Sequence, residues 1–396
     1  MKPGEIMKGA PPSAEGQVTR SNWRTHPYIQ WSFRNVRQLL PTAEIRRAAT
    51  PSVLHTAIRD LSTVQFVDPA GGETTLAETL KTTFADGLLV MHRGRVVTEW
   101  YGDGMMPHSP HLLCSVSKSI AGTLGGVLVE RGLFDVDAPV VSYVPEIAQS
   151  AYGGCSVRDL LDMTVAVDFD EDYDDADGDV ARYRLASGWD VLPNGASQDD
   201  QRSFLTTLKP TGKPHSVRFD YVSTNTEVLG WVYERVCGKP YAQILSELIW
   251  APMGAEEDAY ITVDSKGSAR VAGGICATVR DLARFGEMIR LRGLANGIQV
   301  VPGRWIDDIH HNGNLQAFAD GNLAEVFPGG RYRSKWYNIS PARGDLAAVG
   351  IHGQWIYVDP AADMVAVKVA SQPKPMDVPI DYRWLAAFRA IADRLS

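Results

Sequence analysis

The chain has 396 residues, 44% of them hydrophobic and 22% charged, so it can bury a substantial core without staples, and collagen-like, coiled-coil and wholly disordered architectures are excluded. Lys and Arg number 39 against 47 Asp and Glu, a formal charge of −8, which removes the long-range attraction to phosphate backbones or anionic lipid. No nucleic-acid or membrane partner is expected, and Cys114, Cys155, Cys237 and Cys276 are scattered with no CxxC pair or disulfide spacing.

In chain order, residues 1–25 are polar, contain Pro and Gly and lack periodicity, which predicts a flexible N-terminal arm. They hold no apolar run of about 7–15 residues, as a secretory signal requires, and the scattered thiols fit a reducing compartment, so a cytoplasmic location is expected. Residues 87–102 give two β-rich runs around His92-Arg93-Gly94, a hairpin signal. Helical patterns follow at 117–131, 156–163, 225–237 closed by Gly238, 241–250, and 278–292 closed by Gly293. Residues 351–371 give two apolar strands joined by a Pro-containing turn, and 382–395 an amphipathic helix.

Strands near both ends of the chain pair only if the ends meet. The expected fold is therefore α+β: an antiparallel sheet with helices on both faces plus an inserted mainly α-helical domain. The expected boundaries are 26–135 and 270–396 for the sheet domain and 136–269 for the helical one. Residues 168–179 carry eight acidic side chains in twelve positions. A calcium loop fails there, because placing Gly178 at the sixth position puts Tyr173 at the first ligand position and Arg184 at the twelfth. A solvated loop is the expectation, with a lid over a site as the alternative.

GxSxG, Walker and HExxH motifs are absent. What remains is Ser115-Val116-Ser117-Lys118, an SxxK tetrad directly before a long apolar helix. Positions i and i+3 share a helix face, so the amine can reach the hydroxyl, and a desolvated neutral amine can accept its proton. The first-turn N–H groups lack intrahelical acceptors and can face an oxyanion. The bland alternative is a helix-capping serine beside a solvated lysine. A second copy, Ser371-Gln372-Pro373-Lys374, follows a strand and is crowded by prolines, so it is set aside. Phe219-Asp220-Tyr221-Val222-Ser223-Thr224-Asn225 adds a phenol two residues ahead of a serine, a candidate phenolate or proton relay or, equally, a packing residue.

SxxK followed by YxS resembles the serine β-lactamase and penicillin-recognising enzyme superfamily. Within it the chain is most similar to the 6-aminohexanoate-dimer (nylon-oligomer) hydrolases, through HLLCSVSKS, YVPEIAQSAYGG, DMTVAVDFDEDY, FDYVSTNTEVLGWVYERV, GGICATVRDLARFG and GIHGQWIYVDP. The resemblance implies Ser115 as the acylated nucleophile, Lys118 as its partner, Tyr221 as general base or acid, and Ser223 as support for the leaving group. It implies an oxyanion hole from the amides of Ser115 and Ile351, and calls for no cofactor or metal. The KTG triplet of the superfamily becomes Ala348-Val349-Gly350, without a cation, which His352 is a candidate to replace. Positions that receive the substrate's amino end in the nylon-oligomer enzymes hold Arg184 and Ala272, a reversal of charge at the first. Tyr173, Trp189 and Trp336 are candidate pocket walls. The expected activity is hydrolysis of a small ester or linear amide. β-Lactamase or D,D-peptidase action and a catalytically silent binding protein are the alternatives, and a homodimer is one option for the assembly.

Overall fold

A strand covered on both faces buries alternate side chains in two different layers. In the computed structural model, which describes residues 5–192 and 200–396, this pattern builds the central sheet. Its strands are β1 (Ala85–His92), β2 (Arg95–Tyr101), β3 (Arg331–Arg333), β4 (Trp336–Ser340), β5 (Asp345–Gly350), β6 (Gln354–Asp359) and β7 (Met364–Ala370). All pairings are antiparallel, in the order β3-β4-β5-β6-β7-β1-β2. Val365, Val367 and Val369 of β7 enter one core cluster and Met364 and Ala366 the other; β6 sends Ile356 and Val358 to the first and Trp355 and Tyr357 to the second.

The principal helices are α1 (Val116–Glu130), α2 (Thr224–Cys237), α3 (Val279–Arg290) and α4 (Val378–Leu395). α3 covers the first face, where a Cβ at Gly286 would lie 2.6 Å from Val365 and 3.1 Å from Ile356. α4 covers the second, with Phe388 against the rings of Trp355 and Tyr357. The chain ends meet where β7 pairs with β1, from Met364 opposite His92 to Ala370 opposite Ala85. The two expected hairpins are β1–β2 and β6–β7, and Arg93 and Gly94 both take positive φ, 47° and 76°, as a tight hairpin turn requires.

A second sheet joins Thr42–Ile45, Ala259–Thr262, Ile275–Ala277 and His111–Leu112. It delivers the chain into α1. The helical segment between the halves of the central sheet contributes Leu160, Leu161, Val228, Val232 and Trp250 to the same cluster as the α3 face, so the two regions share one core.

The N-terminal segment departs from the expected flexible arm. Ile6, Val18 and Trp23 are buried in a third cluster with Ile29, Phe33 and Tyr260, and Trp23 meets Trp189 edge-on at 5.2 Å. Three spaced apolar side chains dock an irregular segment without any period to announce them. Residues 1–4 of that segment lie outside the described residues.

α1 is buried from Val116 through Leu128, as a helix apolar on all sides must be. Its glycines admit close neighbours: a Cβ at Gly122 would lie 2.0 Å from the Ser334 carbonyl oxygen. Gly122→Ala is expected to destabilise the fold by roughly 1–3 kcal/mol through overpacking. The check is the denaturant midpoint, which should fall at constant slope.

Candidate active site

The strand His111–Leu112 leads to a turn in which Cys114 takes φ +46°, a left-handed value costly for a residue with a Cβ. That turn places Ser115 at the head of α1 with φ −68° and ψ −9°, and its side chain makes no capping bond. The hydroxyl is therefore free for Lys118, whose Nζ donates to Ser115 Oγ at 2.7 Å and to the Ala272 carbonyl at 2.9 Å. Lys118 is 2% exposed. Burial lowers its pKa to about 8, against the opposing pull of Glu171 and Glu227.

Tyr221 closes the other side. Its phenol neighbours the Ser115 side chain, and burial above all raises its pKa. Lys118 Nζ lies 5.0 Å from its ring centroid, and the ring stacks on Tyr337 at 6.4 Å. The end of β5 presses against the same turn, since a Cβ at Gly350 would lie 2.6 Å from Leu113 O and 3.0 Å from Ser115 N. Ile351 follows directly. Among the described residues neither the Ser115 nor the Ile351 N–H donates to a backbone acceptor. A cavity of about 400 Å³ opens over these groups, with Ser115, Tyr173, Tyr221, Tyr337, Ile351 and Asp381 in its wall.

Ser223 is not in that wall. Its hydroxyl donates to Glu171 Oε1 and its N–H to Glu171 Oε2 at 2.8 Å, while the Tyr173 hydroxyl donates to Glu171 Oε1 at 2.8 Å. Glu171, overlooked in the sequence, thus ties residues 170–173 over the cavity, and all four contribute to its lining. Along the acidic run Asp168, Asp170, Asp172, Asp174, Asp175 and Asp177 are all exposed, as a solvated loop requires, while residues 170–173 also cover the cavity, as the alternative of a lid required.

Other expected site residues lie elsewhere. Arg184 donates from Nε to Asp190 at 2.9 Å and borders a separate side cavity with Trp189 and His352. Trp189 donates from Nε1 to Thr262 Oγ1 at 3.0 Å. His352 donates from Nδ1 to the Gln372 carbonyl at 2.7 Å, and burial lowers its pKa to about 4. Neutral at working pH, it supplies no replacement for the missing cation. Ala272 lines neither cavity; its carbonyl holds Lys118 and its N–H donates to Glu227 Oε1 at 3.1 Å. Trp336 is fully buried, stacked on Phe285 and donating from Nε1 to Thr123 Oγ1 at 3.0 Å, so it belongs to the core and not to the pocket wall. Its neighbour Tyr337 takes the wall instead. Among the described residues no group of three or more His, Cys, Asp or Glu could hold a metal, and no helix is long and apolar enough to cross a membrane.

The profile of the Beta-lactamase family matches residues 76–390. A 6-aminohexanoate-dimer hydrolase of Paenarthrobacter ureafaciens is 38% identical over 366 residues, 92% of this chain and 91% of the relative. A Bacillus anthracis structure described as a candidate 6-aminohexanoate-dimer hydrolase superposes with a TM-score of 0.88 at 27% identity, covering 96% of this chain and 98% of that one. A class C beta-lactamase from Rhodobacter sphaeroides, 17% identical with a TM-score of 0.55 over 81% of this chain and 98% of its own, shares the fold alone. The chain belongs to the beta-lactamase family, as a serine hydrolase of that superfamily.

Proposed function

We propose that this hydrolase acylates Ser115 with a small ester or linear amide and releases the acyl group to water. The observation that carries the reading is the Ser115 hydroxyl bonded to the buried Lys118 amine at 2.7 Å, with the Tyr221 phenol in the same cavity wall as Ser115. Neutral Lys118 accepts the Ser115 proton as Oγ attacks the carbonyl carbon, and the N–H groups of Ser115 and Ile351 receive the oxyanion. Tyr221, kept protonated by burial, is unsuited to be the resting base. It relays instead, giving its proton to the departing alkoxide or amine and recovering one from Lys118. Water then enters by the reverse sequence. Ser223 acts through Glu171 and Tyr173, by fixing the lid rather than by touching the leaving group.

Esters are favoured over amides because their leaving groups are better. The 6-aminohexanoate dimer itself is expected to be a poor substrate, since Arg184 repels an ammonium end. β-Lactam carboxylate recognition through the β5 strand lacks its cation at Ala348. A cytoplasmic setting is proposed with this activity, supported by four free thiols, and a small molecule is the proposed partner.

A fluorophosphonate probe tests the reading. It is expected to label the wild-type protein and not Ser115→Ala, in parallel with turnover of p-nitrophenyl esters. No labelling together with no ester turnover would establish a silent binding protein instead.

A further inference from the structure

Arg24, Arg184 and Arg270 converge on the side cavity, which has a volume of about 50 Å³. It shares Tyr173, Ile351 and Pro375 with the main cavity, so the two adjoin beside the candidate oxyanion amide. Their positive charge is not balanced. Arg24 and Arg184 share one carboxylate, Asp190. Arg270 is 7% exposed and, among the described residues, has no ion pair. It donates from Nη1 to the Ser187 hydroxyl, lies over the rings of Tyr183 and Trp189 at 4.1 and 3.9 Å, and has no partner for its buried Nε. The Arg24 Nε is likewise buried and unpartnered.

The other groups facing the cluster cancel this charge only in part. Glu227, which accepts from the Tyr183 hydroxyl, the Gln201 amide and the Val271 and Ala272 N–H groups, faces Arg270 electrostatically but forms no ion pair with it, and leaves three cations against two carboxylates. His352 is neutral. Three guanidinium groups around one small cavity, against the Asp190 and Glu227 carboxylates and with two buried Nε–H groups unpartnered, leave a net positive charge suited to an anion. The volume suits a few water-sized atoms, the size of a carboxylate and no more.

We infer that the Arg24, Arg184 and Arg270 cavity receives a carboxylate carried by the substrate some bonds away from the scissile carbonyl, which makes half-esters or half-amides of dicarboxylic acids the preferred class. This rests on the acyl-enzyme reading above for its second half only, because the anion site itself is tested by binding. Ser115→Ala protein, which cannot turn over, is titrated calorimetrically with monomethyl adipate, dimethyl adipate and methyl 6-aminohexanoate. The half-ester is expected to bind at least about tenfold more tightly than the diester, as a charge-assisted contact requires, and the amino ester most weakly. Adding Arg184→Asp should abolish that preference and turn it toward the amino ester, and Arg184→Gln, the milder change, should abolish it without reversal. Equal affinities, a preference for the amino ester by the Arg184 protein, or no measurable binding of the half-ester at millimolar concentration would overturn the assignment. Fluorophosphonate labelling of the wild type separates that failure from failure of the nucleophile.

Discussion

Replacing Lys118 by Ala is expected to lower kcat/KM for a p-nitrophenyl ester by about 10⁴-fold or more, the scale seen when one member of a nucleophile–base unit is removed. The structure gives the amine no other task at the surface: it is buried, and both of its hydrogen bonds run to Ser115 and the Ala272 carbonyl. Lys118→Arg should be as inactive, because a guanidinium stays charged and accepts no proton. The pH dependence carries the same argument with a definite sign. Below its pKa of about 8, Lys118 is an ammonium group that only donates to Ser115 Oγ. Above it, the amine is neutral and accepts. Wild-type kcat/KM should therefore rise with pH through about 8 and level off. A profile flat through that region, or a Lys118→Ala enzyme within tenfold of wild type, would sink the assignment of the base.

Gly350→Ala is expected to cost about 10²–10³-fold in kcat with little change in KM, the effect of losing one oxyanion donor. Here the cause is steric and not conformational. The added carbon would come within 2.6 Å of Leu113 O and 3.0 Å of Ser115 N, both main-chain atoms, so the end of β5 must withdraw from the head of α1. The Ile351 N–H moves with it. Steady-state kinetics on the folded variant, with far-UV circular dichroism as the control, give the answer; a kcat within tenfold of wild type would remove Ile351 from the oxyanion hole.

The sequence reveals what is written locally. β1–β2 and β6–β7 stand out because each pairs two apolar strands across a recognisable turn, and α3 because Thr278 and Gly293 bracket it. β3, β4 and β5 do not: β3 is only Arg-Tyr-Arg, and β5 is Asp-Leu-Ala-Ala-Val-Gly, whose small residues carry almost no β signal. The same division runs through the site. Ser115 and Lys118 sit within one helical turn, so their meeting is a matter of spacing. Glu171 reaches Ser223 across 52 residues, and although it is the single Glu in a run of eight acids, nothing local tells which of them makes that reach. Trp336 and Tyr337 differ by one position on β4, and which of the two faces the cavity depends on strand parity, which pairing sets and composition does not.

Ala272 serves the site entirely through its main chain, with one peptide oxygen on the lysine and one peptide hydrogen on a buried acid. Any residue but proline brings the same two groups to that position. The amine's anchor therefore depends on the course of the backbone at this point and not on which side chain the codon supplies.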